Sequence, residues 1–206
     1  IAAEPARTAD LATDRHRYAA FWDRCATLLA SLPAKPARTD VQAAAAATIL
    51  RTGRDSRERF LAVHAEAVYD EITDRRRNFV RLEDLVFAAA AAVPGLTPSE
   101  EQVAAEAALN QSEKDGHEID QGIFLAQVLA VPGPGFHLCH AMLLPRPESA
   151  EHVDRFVADG RLDLGPVRLE RKGKAVHLTA ANPRFLNAED TTTLTPMEIA
   201  VDVATL

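Results

Sequence analysis

Val167-Arg-Leu-Glu-Arg-Lys-Gly-Lys-Ala-Val-His-Leu-Thr-Ala180 is the stretch in which the chain changes character. Val167, Leu169, Val176 and Leu178 alternate with Arg168, Glu170, His177 and Thr179, the period of two that sends successive side chains to opposite faces of a strand. Arg171-Lys172-Gly173-Lys174 separates the two runs with turn chemistry, so the sequence predicts a β-hairpin with one buried face and an outward, solvated His177. Asn182-Pro183 ends the second strand, because proline has no N–H for a ladder.

Upstream of Gly160 the apolar residues follow helical spacing instead. Tyr18, Phe21, Trp22, Cys25, Leu28, Leu29 and Leu32 form one stripe that Pro33 and Pro36 end. Thr39 or Asp40 can cap a second helix running to Gly53, and Asp55 a third that carries Phe60, Leu61, His64, Val68 and Ile72. A fourth holds Leu82, Leu85, Val86 and Ala89 and stops at Pro94-Gly95. Thr97-Pro98-Ser99-Glu100 is a start signal, with Thr97 as cap and Pro98 in the first turn. Helices are further expected over Ile119–Val131 and Glu148–Ala158, with Pro132-Gly133-Pro134-Gly135 as a break between them. Downstream of the hairpin, Leu194, Met197, Ile199, Ala200 and Val203 suggest one more helix, starting or interrupted near Pro196.

The expected fold class is therefore α+β: an α-helical domain over residues 1–160, then a ββα unit over residues 161–206. A hairpin and one helix do not close a core, so further chain is expected to follow; the start at Ile1 rather than Met suggests further chain ahead of it.

Composition narrows the function. Of 206 residues, 47% are hydrophobic and 26% charged, enough for a sizeable core. Alanine dominates the apolar share, which favours closely packed helices. A net charge of −7 argues against a nucleic-acid binder, which needs a concentrated basic face. Arg75, Arg76 and Arg77 lie beside Asp70, Glu71 and Asp74 and read as a mixed surface. Two cysteines make no disulfide framework, and there is no secretory signal or membrane-length apolar run. A cytoplasmic protein without nucleic-acid or membrane partners is expected.

The stretch Ala175-Val-His-Leu-Thr-Ala-Ala-Asn-Pro-Arg-Phe-Leu-Asn-Ala-Glu-Asp190, with Met197 beyond it, resembles the opening of the crotonase superfamily: a strand, an Asn-Arg-Pro-like element, Asn-Ala, then an amphipathic helix with a methionine. Ordinary crotonases begin near this hairpin. A long helical region before it is similar to one branch, the dihydroxyphenylacetyl-CoA dioxygenases of glycopeptide-antibiotic pathways. The segments Arg54–Asp70, Asp120-Gln-Gly-Ile-Phe-Leu125 and His137-Leu-Cys-His-Ala-Met-Leu-Leu-Pro-Arg-Pro147 carry that likeness.

The resemblance implies a spiral core of ββα units, of which this chain holds the first. It implies an enolate of an arylacetyl-CoA thioester held in an oxyanion hole, and attack of that enolate on O2 with neither metal nor flavin. The expected products are 3,5-dihydroxyphenylglyoxylate and coenzyme A. Oligomers of the superfamily are trimers or dimers of trimers, so a homo-oligomer is expected. Its oxyanion-hole segments lie downstream of the Asn-Ala helix, so the remaining C-terminal half of the enzyme is an expected partner.

Glu189 is the expected substrate-contacting residue, directly after Asn187-Ala188 and able to hydrogen-bond a phenolic hydroxyl; a helix-start acid is the plainer alternative for it or for Asp190. Arg184 and the segment Leu186, Asn187 and Ala188 occupy the stretch that contacts coenzyme A in crotonases, and an arginine suits phosphate. His137, Cys139 and His140 could pair two imidazoles on one helix face, but no carboxylate follows at the spacing of a facial triad, so packing is expected and no metal. His64 reads as a core histidine and Cys25 as a buried hydrophobe. The alternatives are an enoyl-CoA hydratase or isomerase and a helical oligomerisation module.

Overall fold

The structure, a computed structural model, describes residues 3–183 and 186–206. It has an α+β architecture in two compact units, Ile1–Met142 and Leu143–Leu206.

The first unit is helical. In α1 (Leu11–Ala30), the side chain of the N-cap Asp10 accepts from the Thr13 N–H, satisfying one of the orphan donors of a helix start. The predicted stripe buries Tyr18, Phe21, Trp22 and Cys25, whereas Leu28 in the last turn is 41% exposed. Thr39 opens α2 (Asp40–Ile72) with a capping box to Gln42. The expected break at Gly53 and new cap at Asp55 do not occur, and one helix of 33 residues runs through both. A glycine costs a helix interior about 1 kcal/mol relative to alanine. That is too little to interrupt a helix buried on both sides of it, by Ala46 and Ile49 before and by Phe60, Leu61, His64 and Val68 after.

α2 ends in a left-handed turn: Asp74, Arg75 and Arg76 have φ of 49°, 56° and 63°, which costs L-residues about 1–2 kcal/mol each. Offsetting bonds run from the Arg75 N–H to the Asp70 carbonyl at 2.6 Å and from the Asn78 N–H to the Thr73 carbonyl at 3.0 Å. Arg76 pairs with Asp70 and Glu66, and Arg77 with Asp74, so acids hold two of the three clustered arginines.

α3 (Leu82–Ala92) ends ahead of Pro94-Gly95 as expected. The next cap is Ser99, reciprocated by Gln102, and α4 spans Glu100–Ala107. Thr97 does not cap it, because its buried hydroxyl donates to the Val86 carbonyl at 2.7 Å. α5 (His117–Ala130) is followed at once by α6 (Pro132–Leu143). The Pro-Gly-Pro-Gly run ends one helix and also begins the next, since a proline in the first turn gives up only an N–H that has no helical partner.

These helices meet in an aromatic centre. The Phe60 ring lies 5.3 Å from both Tyr18 and Trp22, edge-on to Trp22 at 83°, the arrangement that ring quadrupoles favour. Leu85 and Val86 of α3, Phe124 and Val128 of α5 and Leu138 of α6 complete the core.

In the second unit, α7 (Ala150–Asp159) ends at Gly160, whose φ of 66° turns the chain into β1 (Arg161–Asp163). β2 (Val167–Lys172) and β3 (Ala175–Ala180) form the predicted hairpin, and β1 adds a third antiparallel strand in the order β1-β2-β3. The turn contracts to Gly173-Lys174, with the positive φ at Gly173 that a type II′ loop requires at its first position. Val167 and Leu169 are buried and Val176 and Leu178 half-buried on one face, while His177 is exposed. That face packs with Phe156 of α7 and with Ile199, Ala200 and Val203 of α8 (Thr191–Thr205). Pro196 lies inside α8, whose N-cap is Asp190. The change of period at Gly160 marks a change of secondary structure. The change of packing falls earlier, at Met142–Leu143, because Val153 and Phe156 of α7 belong to the sheet's core.

Candidate functional site

The residues from Asn182 to Asp190 join β3 to α8. Leu186 and Asn187 both take left-handed backbone conformations, with φ of 55° and 60°. Asparagine tolerates this region; leucine does not, and such a residue costs about 1–3 kcal/mol unless its surroundings fix it. Asn182 does the fixing. Its carbonyl accepts from the Asn187 N–H at 2.8 Å, and its own N–H donates to Asn187 Oδ1 at 2.8 Å. Its side-chain amide donates to the Ala188 carbonyl at 3.3 Å and to Asp190 Oδ2 at 3.2 Å.

The loop displays what it holds. Leu186 is 93% exposed, and Asn187, Ala188 and Glu189 are exposed beside it. Among the described residues, the Glu189 carboxylate has no hydrogen bond or ion pair, and the N–H groups of Ala188 and Glu189 have no acceptor. Arg184, the expected phosphate contact, lies outside the described residues.

The two neighbouring acids divide the work. Asp190 caps α8, accepting through Oδ1 from the Thr192 N–H at 2.9 Å and the Thr192 hydroxyl at 2.6 Å, while its own N–H donates to the Thr193 hydroxyl. The Thr192 hydroxyl bond leads the causes that hold its carboxyl below the usual aspartate range. The helix-start role left open between Glu189 and Asp190 belongs to Asp190, and among the described residues Glu189 has no partner.

In the helical unit, His64, His137 and His140 pack against aromatic rings. α6 places His137 and His140 one turn apart, and both touch Phe79, His137 stacked at 4.6 Å and His140 tilted at 5.0 Å. Burial pushes the Tyr69 hydroxyl up to about 12, so it stays protonated and shares a hydrogen bond of 2.8 Å with His137 Nδ1. His64 Nε2 lies 3.0 Å from Asp14 Oδ2 inside the core. Among the described residues, no group of three or more His, Cys, Asp or Glu is arranged to hold a metal ion.

No protein-family model matches the chain. Among curated proteins, it is 43% identical over 193 residues to the (3,5-dihydroxyphenyl)acetyl-CoA 1,2-dioxygenase of Amycolatopsis orientalis. The match takes in 94% of this chain and 44% of the relative, so the chain spans less than half the length of the curated relative it matches. Identity at this level over nearly the whole chain reaches into both compact units, so the chain is similar along almost all its length to a (3,5-dihydroxyphenyl)acetyl-CoA 1,2-dioxygenase, and the share of that protein it matches is consistent with an N-terminal half.

Proposed function

We propose that the whole protein converts (3,5-dihydroxyphenyl)acetyl-CoA and O2 into 3,5-dihydroxyphenylglyoxylate and free coenzyme A in glycopeptide-antibiotic biosynthesis, as a cytoplasmic homo-oligomer using neither metal nor flavin. The observation that carries this is the 43% identity across 94% of the chain to a protein named for that activity. The helical unit is included in the match, and a hydratase or isomerase of the ordinary crotonase type has no counterpart of it.

The chemistry asks little of a cofactor. The carbon between ring and thioester loses one proton to give an enolate, whose negative oxygen an oxyanion hole in the remaining half of the protein would hold. The enolate carbon forms a bond to O2, and the distal peroxide oxygen attacks the thioester carbonyl and expels the coenzyme A thiolate. Cleavage of the O–O bond with loss of the second C–H proton leaves the ketone and the carboxylate. Both oxygen atoms end in the product.

In this scheme Glu189 hydrogen-bonds a phenolic hydroxyl and orients the ring; its exposed carboxylate, without a partner among the described residues and beside the cap Asp190, supports that role. The Leu186–Ala188 backbone and Arg184 contact the coenzyme A portion, where a guanidinium fork suits phosphate. The test is O2 uptake by the chelator-treated full-length protein with the dihydroxyphenylacetyl thioester. Uptake with stoichiometric glyoxylate and coenzyme A release is expected. Recovery of intact thioester in air would overturn the proposal and turn attention to enoyl-CoA substrates.

A further inference from the structure

A cavity of about 270 Å³ lies within the helical unit, between α1, α2 and α5 and the 94–98 loop. Its size lies just below the roughly 300–1,000 Å³ range of drug-sized ligand pockets. Its lining is apolar at Trp22, Cys25, Leu29, Ile49, Leu50 and Pro94 and charged at Arg54, Arg57 and Asp120.

The two arginines differ in what they have left to give. Arg54 is committed to the fold. Its Nε donates to Asp120 Oδ1 at 3.0 Å, and one terminal nitrogen donates to the carbonyls of Asp115 and Gly116 at 3.0 and 2.9 Å. Arg57 spends only its Nε, on the Gly95 carbonyl at 2.8 Å. Its terminal nitrogen is 3.6 Å from Asp120, beyond a hydrogen bond, and among the described residues neither terminal nitrogen has an acceptor. The side chain is nonetheless only 16% exposed.

Arg57 is also held rigidly. Its guanidinium lies over the Trp22 ring at 5.7 Å, a cation–π placement. On α2, a Cβ at Gly53 would come 3.1 Å from its terminal nitrogen, so an alanine there would displace the guanidinium by a few tenths of an ångström. Gly95, which supplies the acceptor, has a φ of +82° and would meet Trp22 Cβ at 3.0 Å if substituted by a larger residue.

Charge follows the same division. Asp120 is one carboxylate facing two guanidiniums. Asp115 is taken by Arg38 in two bonds at 2.7 and 2.9 Å, and Asp23 is solvent-exposed. The lining is left with two Arg57 terminal nitrogens that have no hydrogen-bond acceptor among the described residues, one of them in an ion pair with Asp120 at 3.6 Å, beside apolar surface.

We propose that this cavity is a binding site for a small monocarboxylate with an apolar body of about one ring, its carboxylate taken by the terminal nitrogens of Arg57 and its body set against Leu29, Ile49 and Pro94. Guanidinium and carboxylate match as paired parallel hydrogen bonds, and partial burial strengthens them relative to a surface pair. The site is separate from the Asn182–Asp190 loop and does not depend on the activity assigned above.

Benzoate is the probe, titrated into the full-length protein and followed by calorimetry and by the emission of Trp22, the one tryptophan in these 206 residues. Saturable binding that shifts Trp22 emission is expected, with benzamide, the neutral isostere, and inorganic phosphate binding much more weakly. Arg57→Gln should weaken benzoate by roughly ten- to a hundredfold, the loss of charge-assisted hydrogen bonds. Gly53→Ala, which crowds the guanidinium while keeping its charge, should weaken it several-fold, whereas Gly122→Ala, with open space around it, should leave it unchanged. If Arg57→Gln does not fold, the contrast of Gly53→Ala with Gly122→Ala decides. Equal binding of benzoate and benzamide, phosphate binding better than benzoate, binding untouched by the Arg57 and Gly53 changes, or no saturation would each overturn the proposal.

Discussion

Asn182 and Asn187 clasp each other across the loop that displays Glu189: the Asn187 N–H donates to the Asn182 carbonyl and the Asn182 N–H to Asn187 Oδ1, both at 2.8 Å. Asn187 serves twice, as an acceptor and as a residue that tolerates a φ of 60°. Asn187→Gly keeps only the second property and Asn187→Ala neither. Thioester turnover by the full-length protein should fall in the order wild type, glycine variant, alanine variant. The alanine variant should lose roughly tenfold, the equivalent of about 1–2 kcal/mol of strain and lost bonding. Equal activity in all three would mean that the clasp does not serve the site.

Glu189 and Asp190 are adjacent acids with separable jobs, so their variants should fail differently. Glu189→Gln removes a charge that no other described residue uses. It should lower kcat/KM by roughly ten- to a hundredfold, as expected for a charged hydrogen bond to substrate, and leave the thermal midpoint unchanged. Asp190→Ala removes the α8 cap and should lower the midpoint. Its folded pKa is depressed, so the stabilisation it gives is present above its unfolded value and drains away as pH falls through the folded one. A Glu189→Gln variant that loses stability and keeps turnover would reverse the assignment.

The hairpin and most of the helices could be read from the sequence, because hydrophobic period is a local property and turn residues punctuate it. Three features could not. The continuity of α2 through Gly53 depends on burial from partners far along the chain, which outweighs local propensity. β1 is three residues long, too short for alternation to register, and exists only because β2 offers it an edge. The cap at Ser99 replaced Thr97 because Val86, eleven residues earlier, claimed the threonine hydroxyl. At the site, the position of Glu189 after Asn187-Ala188 was legible by resemblance. The partnering of Asp190 in the α8 cap is a property of three dimensions. The Arg57 cavity left no sequence signal, since its walls come from residues 19 to 120.

Glu106 illustrates how the helical unit should respond to acid. The residue is 8% exposed, and its carboxylate accepts from three successive backbone N–H groups, those of Asp115, Gly116 and His117, at 2.7, 2.8 and 2.6 Å. Burial by itself would raise its pKa, but these bonds outweigh burial and hold it below the ordinary glutamate value of 4.5. The bonds therefore stabilise the fold above that value, and their contribution is lost as pH falls through the lower, folded one. Glu106→Gln should cost about 1.5–3 kcal/mol at neutral pH by urea denaturation. The gap to wild type should close below about pH 4.5. A gap that persists undiminished in acid would mean that the glutamine fails for reasons of shape rather than charge.

Asp14 and His64 make the corresponding test inside the core. Asp14 is fully buried and accepts from the Thr8 N–H at 2.7 Å, the Thr8 hydroxyl at 3.0 Å and His64 Nε2 at 3.0 Å. Burial opposes its ionisation, yet these donors bring its pKa below the ordinary aspartate range. An ionised carboxylate only accepts, so the His64 proton is on Nε2. The pair ties α1 to α2 beside Phe60, whose ring lies 4.8 Å from the imidazole. Asp14→Asn and His64→Leu should each cost about 1.5–3 kcal/mol, and the double variant less than their sum, because either change alone already breaks the same bond. Strict additivity in that cycle would mean that Asp14 owes its stability to Thr8 and that the imidazole contributes only by filling space.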